Sequence, residues 1–216
     1  MKDGFIQAFR KGNAITRLSA IILGLGNLAG KQIIKGILYL AMEVSFICFM
    51  IFKGMNCLAM LPGLGGREQQ EIWNEKLGVY EYVAGDNSLL ILLYGVATIF
   101  LIAAYVVLVM SSVKSAYNVQ SRLALGKHIN TFVEDVKSLF NENLHKLLLT
   151  LPVGGVLIFT ILPLIFMISM AFTNYSKVDS HLVLFDWVGL ENFKQLFDSG
   201  SSIGHSFWSV LGWTII

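Results

Sequence analysis

Charge is scarce in this sequence. Asp, Glu, Lys and Arg make up 14% of its 216 residues, against about a quarter in an ordinary soluble domain. The shortfall is concentrated in long stretches with no charge at all. A soluble core has no need of uncharged apolar runs longer than about twenty residues, but a bilayer does, because its hydrocarbon is about 30 Å thick and takes about 20 helical residues to cross. Cysteine is scarce too. Cys48 and Cys57 stand without a C-x-x-C or Cys/His pattern, which argues against a disulfide framework or a thiolate metal site and leaves them as small apolar side chains in or beside a helix. The four histidines, His128, His145, His181 and His205, have no metal-ligand spacing to one another. Also missing are a Gly-x-Ser-x-Gly elbow, a His-Glu-x-x-His helix, paired carboxylates in an apolar setting, and an early secretory leader. No catalytic, cofactor-binding or metal-ligating residue is assigned, no cofactor is expected, and the chain reads as not an enzyme. Nucleic-acid binding has no support beyond basic loops that a membrane already explains.

Three apolar runs are present. The first covers about 37–55, with Glu43 as its only interior charge and Lys53 near its end; the second, 88–110, and the third, 147–172, are uncharged. Pro152 and Pro163 fall inside the third, where a membrane helix tolerates proline with a kink. A fourth run opens at Phe207 and is cut off at Ile216, so the chain reads as a fragment. The expected fold class is all-α: a polytopic transmembrane helical protein with three complete spans and the start of a fourth.

The flanking charges orient the spans. Residues 1–36 carry Lys2, Arg10, Lys11, Arg17, Lys31 and Lys35 against Asp3 alone. The loop 56–87 has only Arg67 and Lys76 as bases, 111–146 has Lys114, Arg122, Lys127, Lys137 and Lys146, and 173–204 has Lys177 and Lys194. Lysine and arginine favour the cytoplasmic side. The N-terminus and the 111–146 loop are therefore expected inside, and the other two loops outside, in a multi-pass cell-membrane protein. Trp187, Phe193, Trp208 and Trp213 then sit at or near the outer face, where amphipathic rings settle.

Within residues 1–36, Phe5, Ile6, Phe9, Ile15 and Leu18 interleave with Arg10, Lys11 and Arg17, as in an amphipathic helix at the inner membrane surface. Ser19 to Ala29 is apolar but too short to cross, which suits a re-entrant or interfacial segment; a plain cytoplasmic linker is the alternative. Ile129, Phe132, Val133, Val136, Leu139 and Phe140 recur at helical spacing and predict a surface helix leading into the third span. The Gly24–Lys31 stretch is a near miss for a nucleotide loop: Leu25 and Gln32 occupy required positions. Its glycines read better as close helix packing or a tight turn. Glu43 admits two readings, a proton-coupled pathway or a structural role in which it snorkels or pairs with a nearby lysine. The structural role is favoured, because no second intramembrane ionisable group accompanies it to form a relay.

From about Leu144 onward the sequence HKLLLTLPVGGVLIFTILPLIFMISMAFTNYS, followed by DWVGLENFKQLF, resembles the permease subunits of binding-protein-dependent ABC sugar importers. The carrying segments are Phe172 to Tyr175 and Val188 to Phe193, with HSFWSVLGWTII similar to the start of the next helix. The likeness is greatest to the larger subunit of maltose and maltodextrin importers, and LGLGNLAGKQIIKGILYL fits its N-terminal extension in the Gram-positive form. The resemblance implies three parts: 1–36, a cytoplasmic interfacial segment; 37–143, an extension with two spans and a cytoplasmic loop; and 144–216, the start of the permease core, with an outer loop at 173–206 and a helix from 207. It implies an ATP-driven oligosaccharide importer, with a second permease subunit, cytoplasmic ATPase subunits, an extracellular solute-binding protein and membrane lipid as partners. The family's Glu-Ala-Ala...Gly coupling loop does not occur before Ile216, and no sugar-contacting residues are carried over, so the substrate-binding residues stay unknown. The alternative from another class is a small multi-pass assembly or regulatory protein without transport activity.

Overall fold

Helix forms wherever the chain is apolar. The computed structural model describes residues 4–68, 70–75, 77–175, 177–178, 181–182, 184–198 and 201–215. Two short helices, α1 (Phe5–Lys11) and α2 (Ala14–Leu18), come first; Asn13 caps the second by accepting the Thr16 amide at 2.9 Å. After α3 (Leu25–Ala29), α4 (Ile33–Phe49) runs through a π-turn at Met50–Gly54 into α5 (Met55–Met60), 28 helical residues in all. A hairpin follows, β1 (Gln70–Asn74) antiparallel to β2 (Val79–Val83), with Trp73 opposite Tyr80.

The second long helix, α6 (Ser88–Ala124), has 37 residues and is about 55 Å long at 1.5 Å per residue. It overruns the expected end at 110 because nothing breaks it before Gly126. There a left-handed φ of 61° lets Gly126 N–H donate to the Leu123 carbonyl and Lys127 N–H to the Arg122 carbonyl, the paired bonds that close a helix on glycine. The surface helix α7 (Phe132–Phe140) starts on a capping box in which the Thr131 amide donates to Glu134 at 2.8 Å.

The third span is α8 (Leu144–Val156), a π-turn at Leu157–Ile161 and α9 (Leu162–Met170), 27 residues together. Pro163 has no N–H to return to Phe159, and its ring would collide with that carbonyl in a regular helix. A widened turn just before it relieves both problems. The chain continues through the two-residue strands β3 (Lys177–Val178) and β4 (His181–Leu182) to α10 (Glu191–Phe197) and α11 (Ser202–Ile215). Among the described residues three helices are thus long and apolar enough to cross a membrane. The chain is all-α apart from these small hairpins, and α11 begins five residues before the expected 207.

The described chain falls into two units, residues 1–55 with 98–158 and residues 56–97 with 159–216. In the second, Leu64, Leu92, Val96 and Phe185 form the core, and Leu61, Leu89, Ile91, Phe166 and Met170 pack on it. The Trp187 indole N–H donates to the Leu61 carbonyl at 2.9 Å. Beside this core the Asp86 carboxylate accepts the Gly66 and Arg67 amides, both at 3.1 Å, and pairs with the Arg67 guanidinium at 3.4 Å.

Those two backbone donors, with help from the Arg67 charge, hold the Asp86 carboxyl below its ordinary range. A carboxyl depressed in the folded state contributes stability above its unfolded pKa of about 3.9 and loses it as pH falls through the lower folded value. Protection of the Gly66 and Arg67 amides, taken relative to their intrinsic exchange rate at each pH, is therefore expected to fall below about pH 4, and Asp86→Asn should remove that acid response. An acid response that persists in the variant would rule out Asp86 as its source.

Candidate functional site

The first unit is organised around residues 13–32, whose short helices and turns cannot bury themselves. Their backbone groups are satisfied from α4 and α6 instead. The Leu23 amide donates to Glu43 Oε2 at 2.8 Å, and the Gly24 amide to Ser112 Oγ at 2.9 Å. Ser112 in turn donates to the Ser19 carbonyl at 3.2 Å, and Ser19 Oγ accepts the Gly26 amide at 2.8 Å. Asn27 Nδ2 donates to Gln32 Oε1 at 2.7 Å and to Ser115 Oγ at 2.8 Å, while Gln32 Nε2 donates to the Asn130 carbonyl at 2.7 Å. Leu23, Asn27, Ser19 and Ser112 are fully buried. Asn27 Oδ1 alone among these buried groups has no hydrogen-bond partner among the described residues.

Glycine makes this approach possible. Gly24 has φ of 80°, and a Cβ there would overlap the Gly36 carbonyl and lie 2.9 Å from its Cα. A Cβ on Gly26 would run into Ala116, and one on Gly30 into Val119. The glycines of the Gly24–Lys31 stretch thus serve both as a left-handed turn and as close helix packing. The segment is docked among helices α4 and α6.

Glu43 is 7% exposed. Its carboxylate reaches the Leu23 backbone twenty residues away and also interacts with the Tyr105 side chain. Its partner is backbone: Glu43 is half of no ion pair with a lysine among the described residues. It supplies the acceptor that a buried N–H would otherwise lack. Reading by sequence missed Ser112, Ser115 and Gln32 as parts of this junction. The signal available was the small face of α6, where Ser112, Ala116 and Val119 recur at helical spacing opposite Gly26 and Gly30. Of the histidines, His128 lies 3.0 Å from Glu134, and the His181 side chain lies outside the described residues; no group of three His, Cys, Asp or Glu able to hold a metal ion is found among the described residues. Cys48 and Cys57 are free cysteines within helices.

In the second unit the segments Phe172 to Tyr175 and Val188 to Phe193 meet. The Val188 and Gly189 amides donate to the Phe172 carbonyl at 2.9 and 3.1 Å. Asn192 Nδ2 donates to the Ala171 and Thr173 carbonyls at 2.9 and 2.7 Å, and the Phe172 and Phe193 rings are 5.2 Å apart. These bonds take up the carbonyls of Ala171, Phe172 and Thr173, the first three residues after α9, so one stretch fastens the exit of the helix that the other forms. Neither this latch nor the junction around Glu43 sets a nucleophile against a base; both position backbone.

Comparison with known proteins adds three relatives. The maltodextrin transport system permease protein MalC of Streptococcus pneumoniae is 32% identical over 92% of this chain and 42% of its own length. The maltodextrin transport system permease protein MdxF of Bacillus subtilis is 29% identical over the same shares. The galactooligosaccharides transport system permease protein GanP of Bacillus subtilis is 29% identical over 94% of this chain and 45% of its own length. The chain thus spans less than half the length of the curated relatives it matches. No family model matches it, and no solved structure does.

Proposed function

We propose that this chain, a homologue of the maltodextrin-type transport permeases, supplies membrane-spanning helices to the permease of an ATP-driven oligosaccharide importer. The observation that carries the reading is the similarity over 92% of the chain to such permeases, joined to three membrane-length helices in the places where the sequence is apolar. In this reading the substrate is of the maltose/maltodextrin type. A second permease subunit completes the pathway, cytoplasmic ATPase subunits hydrolyse the ATP, and an extracellular solute-binding protein delivers the sugar. The helices of the permease pair would interconvert between outward- and inward-facing arrangements, with each ligand biasing the state it binds better.

The third span supports a partnered role. Leu151 and Phe159 are 82% and 81% exposed along a helix in which no residue of the apolar stretch is buried. Two prolines in such a helix free backbone carbonyls that hydrocarbon cannot satisfy; the widened turn accommodates Pro163, and a neighbouring helix would serve the carbonyl freed by Pro152. In this reading the N-terminus and the loop 111–146 lie in the cytoplasm of a cell-membrane protein, which the excess of lysine and arginine in them supports. Residues 1–36 would then form an interfacial cytoplasmic segment, 37–143 a two-span extension, and 144–216 the first part of the permease core.

The test is uptake of radiolabelled maltodextrin by the source cells with and without the gene that encodes this chain. Loss of uptake on deletion, with recovery on re-expression, is the expected result. Undiminished maltodextrin uptake together with loss of galactooligosaccharide uptake would move the substrate, and no loss of either would overturn the reading.

A further inference from the structure

A cleft of about 840 Å³ opens in the first unit, lined by Lys35, Lys114, Arg122, Lys127, His128 and Asp135 among others. Its charge is strongly one-sided. Asp135 is the only acid on its walls among the described residues, and Lys35 takes it at 2.9 Å. His128 is matched by Glu134 at 3.0 Å. The Arg122 guanidinium donates to the His128 carbonyl and to Asn130 Oδ1, neutral acceptors that leave its charge uncompensated. Lys114 and Lys127 have no ion pair among the described residues. Three cations therefore face one cavity without a counter-charge, an arrangement that repels itself unless an anion is present.

Depth and surroundings narrow the anion. The apolar run of α6 ends at Met110, and Lys114, the first charge on that helix, follows about one helical turn later, at the level where headgroups begin. The loop after Gly126 folds back to that level, because Gln32 donates to the Asn130 carbonyl and Lys35 pairs with Asp135 just before the apolar part of α4. The cleft is also lined by Gly4 and Ala8 of the N-terminal segment. That segment leaves Ile6, Phe9, Ile15, Leu18, Ile21 and Ile22 exposed, 71% for Ile6 and Ile21. An apolar strip of this kind beside basic residues settles into the boundary between headgroups and acyl chains.

We propose that this cleft is a binding site for the phosphate headgroup of an anionic phospholipid, held by Lys114, Arg122 and Lys127, with its acyl chains leaving along the apolar helices. Basic pockets between helices at a membrane surface recognise such headgroups, and each cation is worth roughly five-fold in binding. The site is independent of the substrate assigned above, since it depends on neither sugar nor ATP.

Native mass spectrometry of the purified chain in detergent, with equal amounts of phosphatidylglycerol and phosphatidylcholine, tests it. Preferential retention of phosphatidylglycerol is expected, falling roughly five-fold in Lys114→Gln, roughly five-fold in Lys127→Gln, and roughly 25-fold in the double variant. Neither lysine has an ion pair among the described residues, so the fold should survive, as circular dichroism would check. Lys11→Gln with Lys137→Gln removes the same number of charges outside the cleft and should leave the preference intact. Equal retention of the two lipids, or equal loss in the control pair, would overturn the site and leave only general surface charge. Displacement of phosphatidylglycerol by millimolar inorganic phosphate would overturn the lipid in favour of a soluble phosphate.

Discussion

Gly24→Ala is expected to release the segment 13–32 from the helices that hold it, and Gly26→Ala to do the same. At Gly24 two costs add: a left-handed φ of 80° for a residue with a Cβ, and overlap with the Gly36 backbone, which no rotamer change can relieve. The first costs about 1–2 kcal/mol and the second about 1–3 kcal/mol. Together they should raise the opening of the segment about a hundred-fold, read as faster tryptic cleavage at Arg17 and Lys31 in membranes. Gly154→Ala and Gly155→Ala are the matched controls, because a Cβ at either meets nothing within 4 Å. In a helix they should be neutral or stabilise by about 0.5–1 kcal/mol. If Gly24→Ala is cleaved no faster than the controls, the close approach to Gly36 is wrong.

Glu43 carries the second large effect. Truncation to Ala strands the Leu23 amide, which is fully buried and has the carboxylate as its acceptor at 2.8 Å. Leaving a buried donor unpaired costs about 1–3 kcal/mol. Glu43→Gln keeps a carbonyl oxygen in place, so it should recover most of the loss. The same proteolysis assay, with hydrogen exchange at Leu23, separates the outcomes. If both variants are equally damaging, the negative charge matters rather than the acceptor; if neither has an effect, Glu43 does not hold the segment. A proton-relay role, by contrast, predicts normal protection in both variants.

Much of the architecture was legible beforehand because the bilayer is a demanding solvent. A span must be long, apolar and helical to satisfy its own backbone in hydrocarbon, and all three requirements can be read from consecutive residues. The expected spans 37–55, 88–110 and 147–172 appear as helices over 33–60, 88–124 and 144–170. The ends moved because helix termination depends on local devices, such as the glycine closure at Gly126, and hydropathy does not register them. The surface helix before the third span was legible for a similar reason, since its apolar positions repeat at helical spacing.

The hairpin was not. Ile72, Trp73, Val79 and Tyr80 have strand-forming side chains, but all are exposed, so burial leaves no alternation to read, and pairing with the partner strand is what makes them strands. The latch between Phe172 and Asn192 lay in segments already singled out by resemblance, yet their contact could not be inferred from their spacing.

Helix content, the number of spans and the near miss at Gly24–Lys31 followed from residue order alone, because each depends on neighbours within a few turns. Tertiary structure decided where Glu43 turns, which glycines touch Ala116 and Val119, and which cations share a cleft. Those contacts join residues 20 to about 90 positions apart, and only the packing of whole helices brings such residues within hydrogen-bonding or van der Waals distance.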